Sequence, residues 1–227
     1  MSNQGILYIV ATPIGNLEDM SRRAIKILSN VSVIAAEDTR TTRHLLNHFD
    51  IANLLTSYHE HNEAQKSVEL LAKLQNGEDV ALVSEAGTPT ISDPGYRLVQ
   101  QAVENGVKLV PVPGPSAVAT ALSISGLPTD RFMFVGFLPD KTGKRKKKLD
   151  ELKGELATLV FYISKWKLER VLTDMLEMFG DRRVCFCREL TKMHEDIRHT
   201  TLDSLLEDCS GKKVKGEITL VVEGCEK

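Results

Sequence analysis

The sequence predicts an α/β protein of two domains, each built on its own sheet. Three observations carry this. Apolar runs of strand length alternate with segments of helical period along the whole chain. The 227 residues suffice for one large domain or two small ones, at about 100–200 residues each. The alternation is clean up to residue 113 and looser beyond it, with a Gly- and Pro-bearing stretch at 126–130. Domains are therefore expected over 1–113 and 114–227.

The elements follow in order. Residues 6–11 form a strand, broken at Thr12-Pro13-Ile14-Gly15. Ser21 caps a helix carrying Ala24, Ile25 and Leu28. A second strand over 31–36 runs into Glu37-Asp38-Thr39-Arg40. A helix spans 62–76, with Val68, Leu71 and Leu74 at helical spacing and Gly77 as its stop. The strand at 80–83 ends at Ser84-Glu85-Ala86-Gly87-Thr88-Pro89. Asp93-Pro94 reads as an N-cap and first-turn proline for a helix carrying Leu98, Val99, Ala102 and Val103. A strand over 107–112 enters Pro113-Gly114-Pro115-Ser116, and 117–125 is helical. Strand–helix–strand units of this kind imply right-handed crossovers and a parallel sheet covered on both faces. Further on, strands are expected at 132–137, 158–162, 183–187 and 217–222, and helices at 144–153, 165–179 and 202–209.

Composition narrows the function. Lys and Arg total 29 and Asp and Glu total 31, giving a net charge of −2. A globally basic nucleic-acid coat protein is excluded; a local basic patch is not. No apolar run approaches the roughly 18 residues of a membrane span. The N-terminus lacks a basic region followed by an apolar stretch and cleavage site, so no signal peptide is expected. The four cysteines, Cys185, Cys187, Cys209 and Cys225, match no zinc spacing and read as reduced structural thiols. No metal is expected.

In open α/β sheets ligands bind beyond the carboxyl ends of the strands. Three loops of the first half leave from those ends: 12–16, 84–94 and 113–116. Each holds Gly and Pro, which fix an unusual path and let a ligand approach the main chain. Gly87 is expected to turn its peptide groups to a ligand, and Ser116 to offer a hydroxyl at a helix start. None of the loops is a dinucleotide or nucleoside-triphosphate motif. The residues alone lead to a small-molecule pocket between two α/β domains.

Eight segments carry a resemblance: LYIVATPIGNLEDMSRRA (7–24), IAAEDTRTTRHLL (34–46), SYHEHNE (57–63), VALVSEAGTPTISDPGYRLV (80–99), VPVPGPSAVATALSISGLPTDRF (110–132), GFLP (136–139), CRELTK (187–192) and KGEITLVVEG (215–224). In this order they resemble the ribosomal RNA small-subunit methyltransferase I family of the tetrapyrrole methylase superfamily. The resemblance implies a two-domain tetrapyrrole-methylase-like (class III methyltransferase) fold, with a mostly parallel sheet in the first domain and a mixed sheet in the second. It implies S-adenosylmethionine as donor, a donor cleft between the domains, a cytoplasmic homodimer, and transfer to a ribose 2′-hydroxyl of a cytidine in 16S rRNA or the small ribosomal subunit. Three departures stand out. Glu85 replaces the family's usual Asp. Phe161-Tyr162-Ile163-Ser164-Lys165-Trp166-Lys167 stands for F-Y-E-S-x-H-R. Many members continue past the V-E-G strand.

By the resemblance, Pro13, Glu85, Ala86, Gly87, Thr88 and Pro89 hold the donor. Ser116 and Ala117 hold more of it, and Tyr162, Leu190 and Gly216 close the far wall. A ribose hydroxyl is a weak nucleophile, so a general base helps. Glu189 is the first candidate, then Glu37 and Asp38, then His59 and His61. Each has a plainer reading: an Arg188–Glu189 pair orienting a loop, helix capping by Asp38 or Thr39, and surface histidines. The dense basic run Lys141, Lys144, Arg145, Lys146, Lys147 and Lys148 is a candidate RNA grip, extended by Arg22, Arg23, Arg40 and Arg43; its plainer reading is a solvated helix start. Trp166 either stacks on a base or, as the stronger expectation, packs in a core or dimer contact. Two other functions stay open: methylation of a tetrapyrrole or other small molecule, and donor binding with weak or no turnover.

Overall fold

The computed structural model describes residues 4–225. The chain divides into two compact units, one ending at Ser116 and the other beginning at Ala117.

The first unit contains β1 (Ile6–Val10), α1 (Arg22–Asn30), β2 (Val33–Ala36), α2 (Thr39–His48), β3 (Leu55–Ser57), α3 (Glu63–Gln75), β4 (Val80–Val83), α4 (Tyr96–Glu104) and β5 (Lys108–Val112). Its strands form one parallel sheet in the order β3-β2-β4-β1-β5. Every residue of β2 and β4 is buried, as a parallel sheet covered on both faces requires. Leu28 of α1 and Leu46 of α2 pack with Val10, Ile34, Ala36 and Val83 on one face. Leu70 and Leu74 of α3 and Leu98 and Ala102 of α4 pack with Leu7, Val33, Ala35 and Leu82 on the other.

The helix starts follow their caps. The Ser21 hydroxyl accepts from the Ala24 N–H, and the Asp38 carboxylate accepts from the Arg40 and Thr41 N–H groups. Two expectations are corrected. Val68 is exposed, and α3 faces the core through Ser67, Leu70 and Leu74, one residue round from the expected stripe. Asp93 does not cap α4. Gly95, at φ 137°, takes that place, where a Cβ would sit 2.7 Å from Leu82 Cδ2. Asp93 is thereby released to a different role.

The second unit contains α5 (Ala117–Ile124), β6 (Phe132–Phe137), α6 (Thr142–Leu152), β7 (Thr158–Ile163), α7 (Leu168–Phe179), β8 (Arg183–Arg188), β9 (Asp196–Thr201), α8 (Leu202–Cys209) and β10 (Ile218–Val222). The strand order is β6-β7-β10-β8-β9, and only β6 and β7 run parallel. The expected mixed sheet is borne out. Leu149, Leu172, Met175, Leu202 and Leu205 cover one face, against Leu159, Phe161, Ile163, Phe186 and Leu220. Ile163 thus points into the core. Cys185 and Cys187 share the opposite face of β8 at the period of two, with Sγ atoms 3.6 Å apart. Cys185, Cys187 and Cys209 are buried thiols outside any disulfide.

Candidate active site

Strands β1 and β4 are neighbours whose connections leave in opposite directions. The chain after β1 goes by α1 to β2, and the chain after β4 goes by α4, on the other face, to β5. Their carboxyl ends form the topological switch point, where open α/β sheets bind ligands. The two loops leaving there are laced together. Thr12 N–H donates to Gly87 O at 2.9 Å and Gly87 N–H donates to Thr12 O at 3.1 Å. The Thr12 hydroxyl, itself buried, donates to Ser84 O at 3.4 Å. Thr88 Oγ1 donates to Pro115 O at 3.3 Å, which ties in the third loop and places Ser116 beside the other two. Gly87 is at φ +85°, and a Cβ there would press on Ile14 Cγ2 at 3.3 Å. This corrects one expectation: both Gly87 peptide groups are spent on Thr12 rather than turned to a ligand. Gly87 shapes the wall instead. Pro13, Ala86 and Thr88 are half-buried in the same loops, Pro89 is buried and Glu85 is exposed.

A group of carboxylates lies at this edge. Glu37 directly follows β2, Glu85 and Asp93 lie in the loop after β4, and Glu60 and His59 follow β3. Burial raises the Glu37 carboxyl above the usual range; a hydrogen bond from the Glu85 N–H opposes this, and the Glu85 and Glu60 charges add to it. Burial pushes Asp93 up to about 6, with the Glu37 and Glu85 charges adding and a Ser84 hydrogen bond opposing. Glu37 Oε2 and His59 Nδ1 are buried without a hydrogen-bond partner. Buried polar atoms are rarely left so. The loop also holds Thr90 at φ 73° and Ser92 at φ 63°, left-handed backbone on non-glycine residues flanking the turn into Asp93. Sequence reasoning missed Asp93. Its Asp-Pro signal is that of a helix cap, and only the positive φ of Gly95 moves the cap two residues on.

The remaining candidates separate. Asp38 caps α2 and pairs with Arg40 at 3.2 Å, so its capping reading holds. The Arg40 hydrogen bonds hold its carboxyl below the usual range. In the second unit, Glu189 sits at φ 54° and its Oε1 accepts from Glu217 N–H and Lys192 Nζ, both at 2.9 Å. These bonds keep its carboxyl below the usual range, the Glu217 N–H first. Gly216 is required beside it, since a Cβ would meet Glu189 Cγ at 2.4 Å. Arg188 pairs with Asp196 at 3.6 Å, rather than with its sequence neighbour. Leu190 is buried, and Tyr162 lies between the rings of Phe134 and Phe137. Ala117 opens α5.

The basic run divides as well. Arg145 is 2% exposed and Nε bonds Asp174 Oδ2 at 2.6 Å, so it is a core ion pair and not an RNA contact. Helical period turns one residue of any such run inward. Lys146 is held by Glu177 at 2.5 Å and Lys148 lies 3.4 Å from Glu151. Lys141, Lys144 and Lys147 are exposed and unpaired among the described residues. Trp166 is 70% exposed, with Lys165 over its ring at 5.2 Å, which overturns the core half of the expectation of a core or dimer contact. Among the described residues, no group of three His, Cys, Asp or Glu could hold a metal, and no helix is long and apolar enough to cross a membrane.

Comparison with known proteins gives the chain its class. The family described as Tetrapyrrole (Corrin/Porphyrin) Methylases matches residues 6–206. The fold is shared with uroporphyrin-III-C-methyltransferase from Thermus thermophilus, at TM-score 0.66 and 21% identity over 97% of this chain and 94% of that one. It is shared also with diphthine synthase, at TM-score 0.71 and 12% identity over 96% and 90%. The family match, with the shared fold, thus puts the chain in the class of tetrapyrrole methylases. Within the class, the chain is 50% identical over 222 residues to ribosomal RNA small subunit methyltransferase I of Halalkalibacterium halodurans, covering 98% of this chain and 77% of the relative. It is 51% identical over 224 residues to the Vibrio cholerae protein of the same name, covering 96% and 77%. The chain belongs to the ribosomal RNA small subunit methyltransferase I family of tetrapyrrole methylases.

Proposed function

We propose that this protein transfers a methyl group from S-adenosylmethionine to the ribose 2′-hydroxyl of a cytidine in 16S rRNA, with Glu37 accepting the hydroxyl proton. The half-identity to relatives named for small-subunit ribosomal RNA supports the substrate. The observation that carries the chemistry is Glu37 Oε2, a buried carboxylate oxygen with no hydrogen-bond partner at the carboxyl edge of the sheet.

When bound, the donor supplies a methyl group on a positively charged sulfur. The first unit fits such a cation on two counts. The carboxylates of Glu37, Glu85 and Asp93 act on one another there, a surplus of negative charge that a cation relieves. Beside them the wall is main chain and small side chains, with Gly87 at a position where a Cβ would press on Ile14. Pro13, Ala86, Gly87, Thr88, Pro89 and Ser116 would hold the donor. The Thr12–Gly87 bridge and the Thr88–Pro115 bond keep these loops fixed, so that little ordering is left to be done on binding.

Glu37 then has two properties of a general base. Its free oxygen can take a proton, and its raised pKa brings its basicity nearer to neutral pH. Asp93 tunes it: with a pKa of about 6, its charge appears only as the solution approaches neutrality. Glu189, its oxygen already engaged by Glu217 and Lys192, serves to join two loops. The test is direct. Calorimetry with S-adenosylhomocysteine should show binding, and tritiated donor should label small-subunit RNA. A protein that binds neither compound nor transfers label is not this enzyme.

A further inference from the structure

Thr39, Arg40, Arg43 and His44 of α2 and Leu55 of β3 line a surface cleft of about 430 Å³. That lies within the roughly 300–1,000 Å³ of ligand clefts. We infer that this cleft grips the phosphodiester backbone of single-stranded RNA. The inference deepens the RNA reading above and rests on it for the class of substrate.

The cleft begins two residues after Glu37, at the same edge of the sheet. Its cations are displayed rather than buried. The Arg40 side chain is 89% exposed, and Asp38 holds it by Nε and Nη2, which leaves Nη1 and the outer side of the fork open. Arg43 spends Nη1 on Asn53 O at 3.2 Å and keeps its other donors. His44 is one turn on from Arg40, and His48 one turn further, all exposed. The outer face of α2 therefore displays the two arginine charges with the hydrogen-bonding imidazoles of His44 and His48 beside them, Arg40, His44 and His48 rising by about 6 Å from one to the next. The helix N-terminus is not the attraction, because Asp38 already takes the Arg40 and Thr41 N–H groups. Leu55 adds an apolar floor against which a ribose or base can lie. The lysine run of α6, the other basic feature, has spent Arg145 and Lys146 on internal ion pairs.

The experiment uses protein-free 16S rRNA in filter binding across a salt series. The double variant Arg40→Gln, Arg43→Gln should bind at least tenfold more weakly in low salt. Its log–log salt slope should be shallower by about 1.4, at about 0.7 per phosphate contact on a single strand. Affinity for S-adenosylhomocysteine, read by calorimetry, should stay within about twofold and reports that the variant is folded. Wild-type affinity and slope in the double variant would overturn the inference, as would wild-type protein that binds no RNA. If RNA binding needs the two arginines while no methyl group is transferred, the chemical reading falls and the cleft assignment stands.

Discussion

Thr12 and Gly87 exchange two backbone hydrogen bonds, 2.9 and 3.1 Å long, across the gap between the loops that leave β1 and β4. These loops diverge in sequence by some seventy positions and in direction by opposite faces of the sheet, yet this bridge makes them one surface. The positive φ of Gly87 is the condition for it.

Gly87→Val therefore acts through the bridge and not only through lost space. Valine at φ +85° is strained, and its Cβ presses on Ile14. We expect a stability loss of about 1–3 kcal/mol and a drop of more than tenfold in affinity for S-adenosylhomocysteine. Urea unfolding and calorimetry measure the two. Unchanged affinity would separate the bridge from donor binding.

Glu37 and Glu189 divide by kinetics. Glu37→Gln keeps the side chain's shape and removes its proton affinity, so kcat should fall by about 10²-fold or more. Glu189→Gln keeps the acceptor for Glu217 N–H and loses only the Lys192 ion pair, so kcat should stay within about threefold. Single-turnover transfer rates decide, and the reverse order would make Glu189 the base.

Asp93 gives a pH signature. Its folded pKa, about 6, lies above that of an exposed carboxyl. A raised carboxyl favours folding below its unfolded pKa, and that advantage is lost as pH rises through about 6. Asp93→Asn should thus be near neutral for stability at pH 4 and stabilising by roughly 1–2 kcal/mol at pH 8. Urea titrations at the two pH values test this. A variant equally destabilised at both would show that Asp93 is a structural acceptor.

Arg145 and the lysines around it should part company. Arg145→Met strips the buried Asp174 of its close partner and leaves it only Lys146 Nζ at 3.8 Å, at a cost of about 3 kcal/mol. Lys144→Gln with Lys147→Gln should change stability by less than about 0.5 kcal/mol each. Chemical denaturation of the two variants distinguishes a core arginine from a surface run.

Much of this molecule was legible in its residues. Period-two and helical patterns located both sheets, because β2, β4 and β10 are buried along their whole length and read as apolar runs. Strand β9 escaped because it is an edge: Asp196 and Arg198 carry the charges that keep edges from pairing further. Strand β3 is three residues long and half-buried, too short for a pattern. At the site, the loops announced themselves by Gly and Pro, while their mutual bonds did not. A one-dimensional run could not show that Arg145 turns inward, that Trp166 turns outward, or that Asp93 leaves the helix cap to stand with Glu37.

The most direct measurement is a nucleoside digest of 16S rRNA after incubation with this protein and methyl-labelled S-adenosylmethionine. The expected result is a single labelled product, 2′-O-methylcytidine, that disappears with Glu37→Gln. Label on a base, label on another nucleoside, or undiminished label with that variant would contradict it.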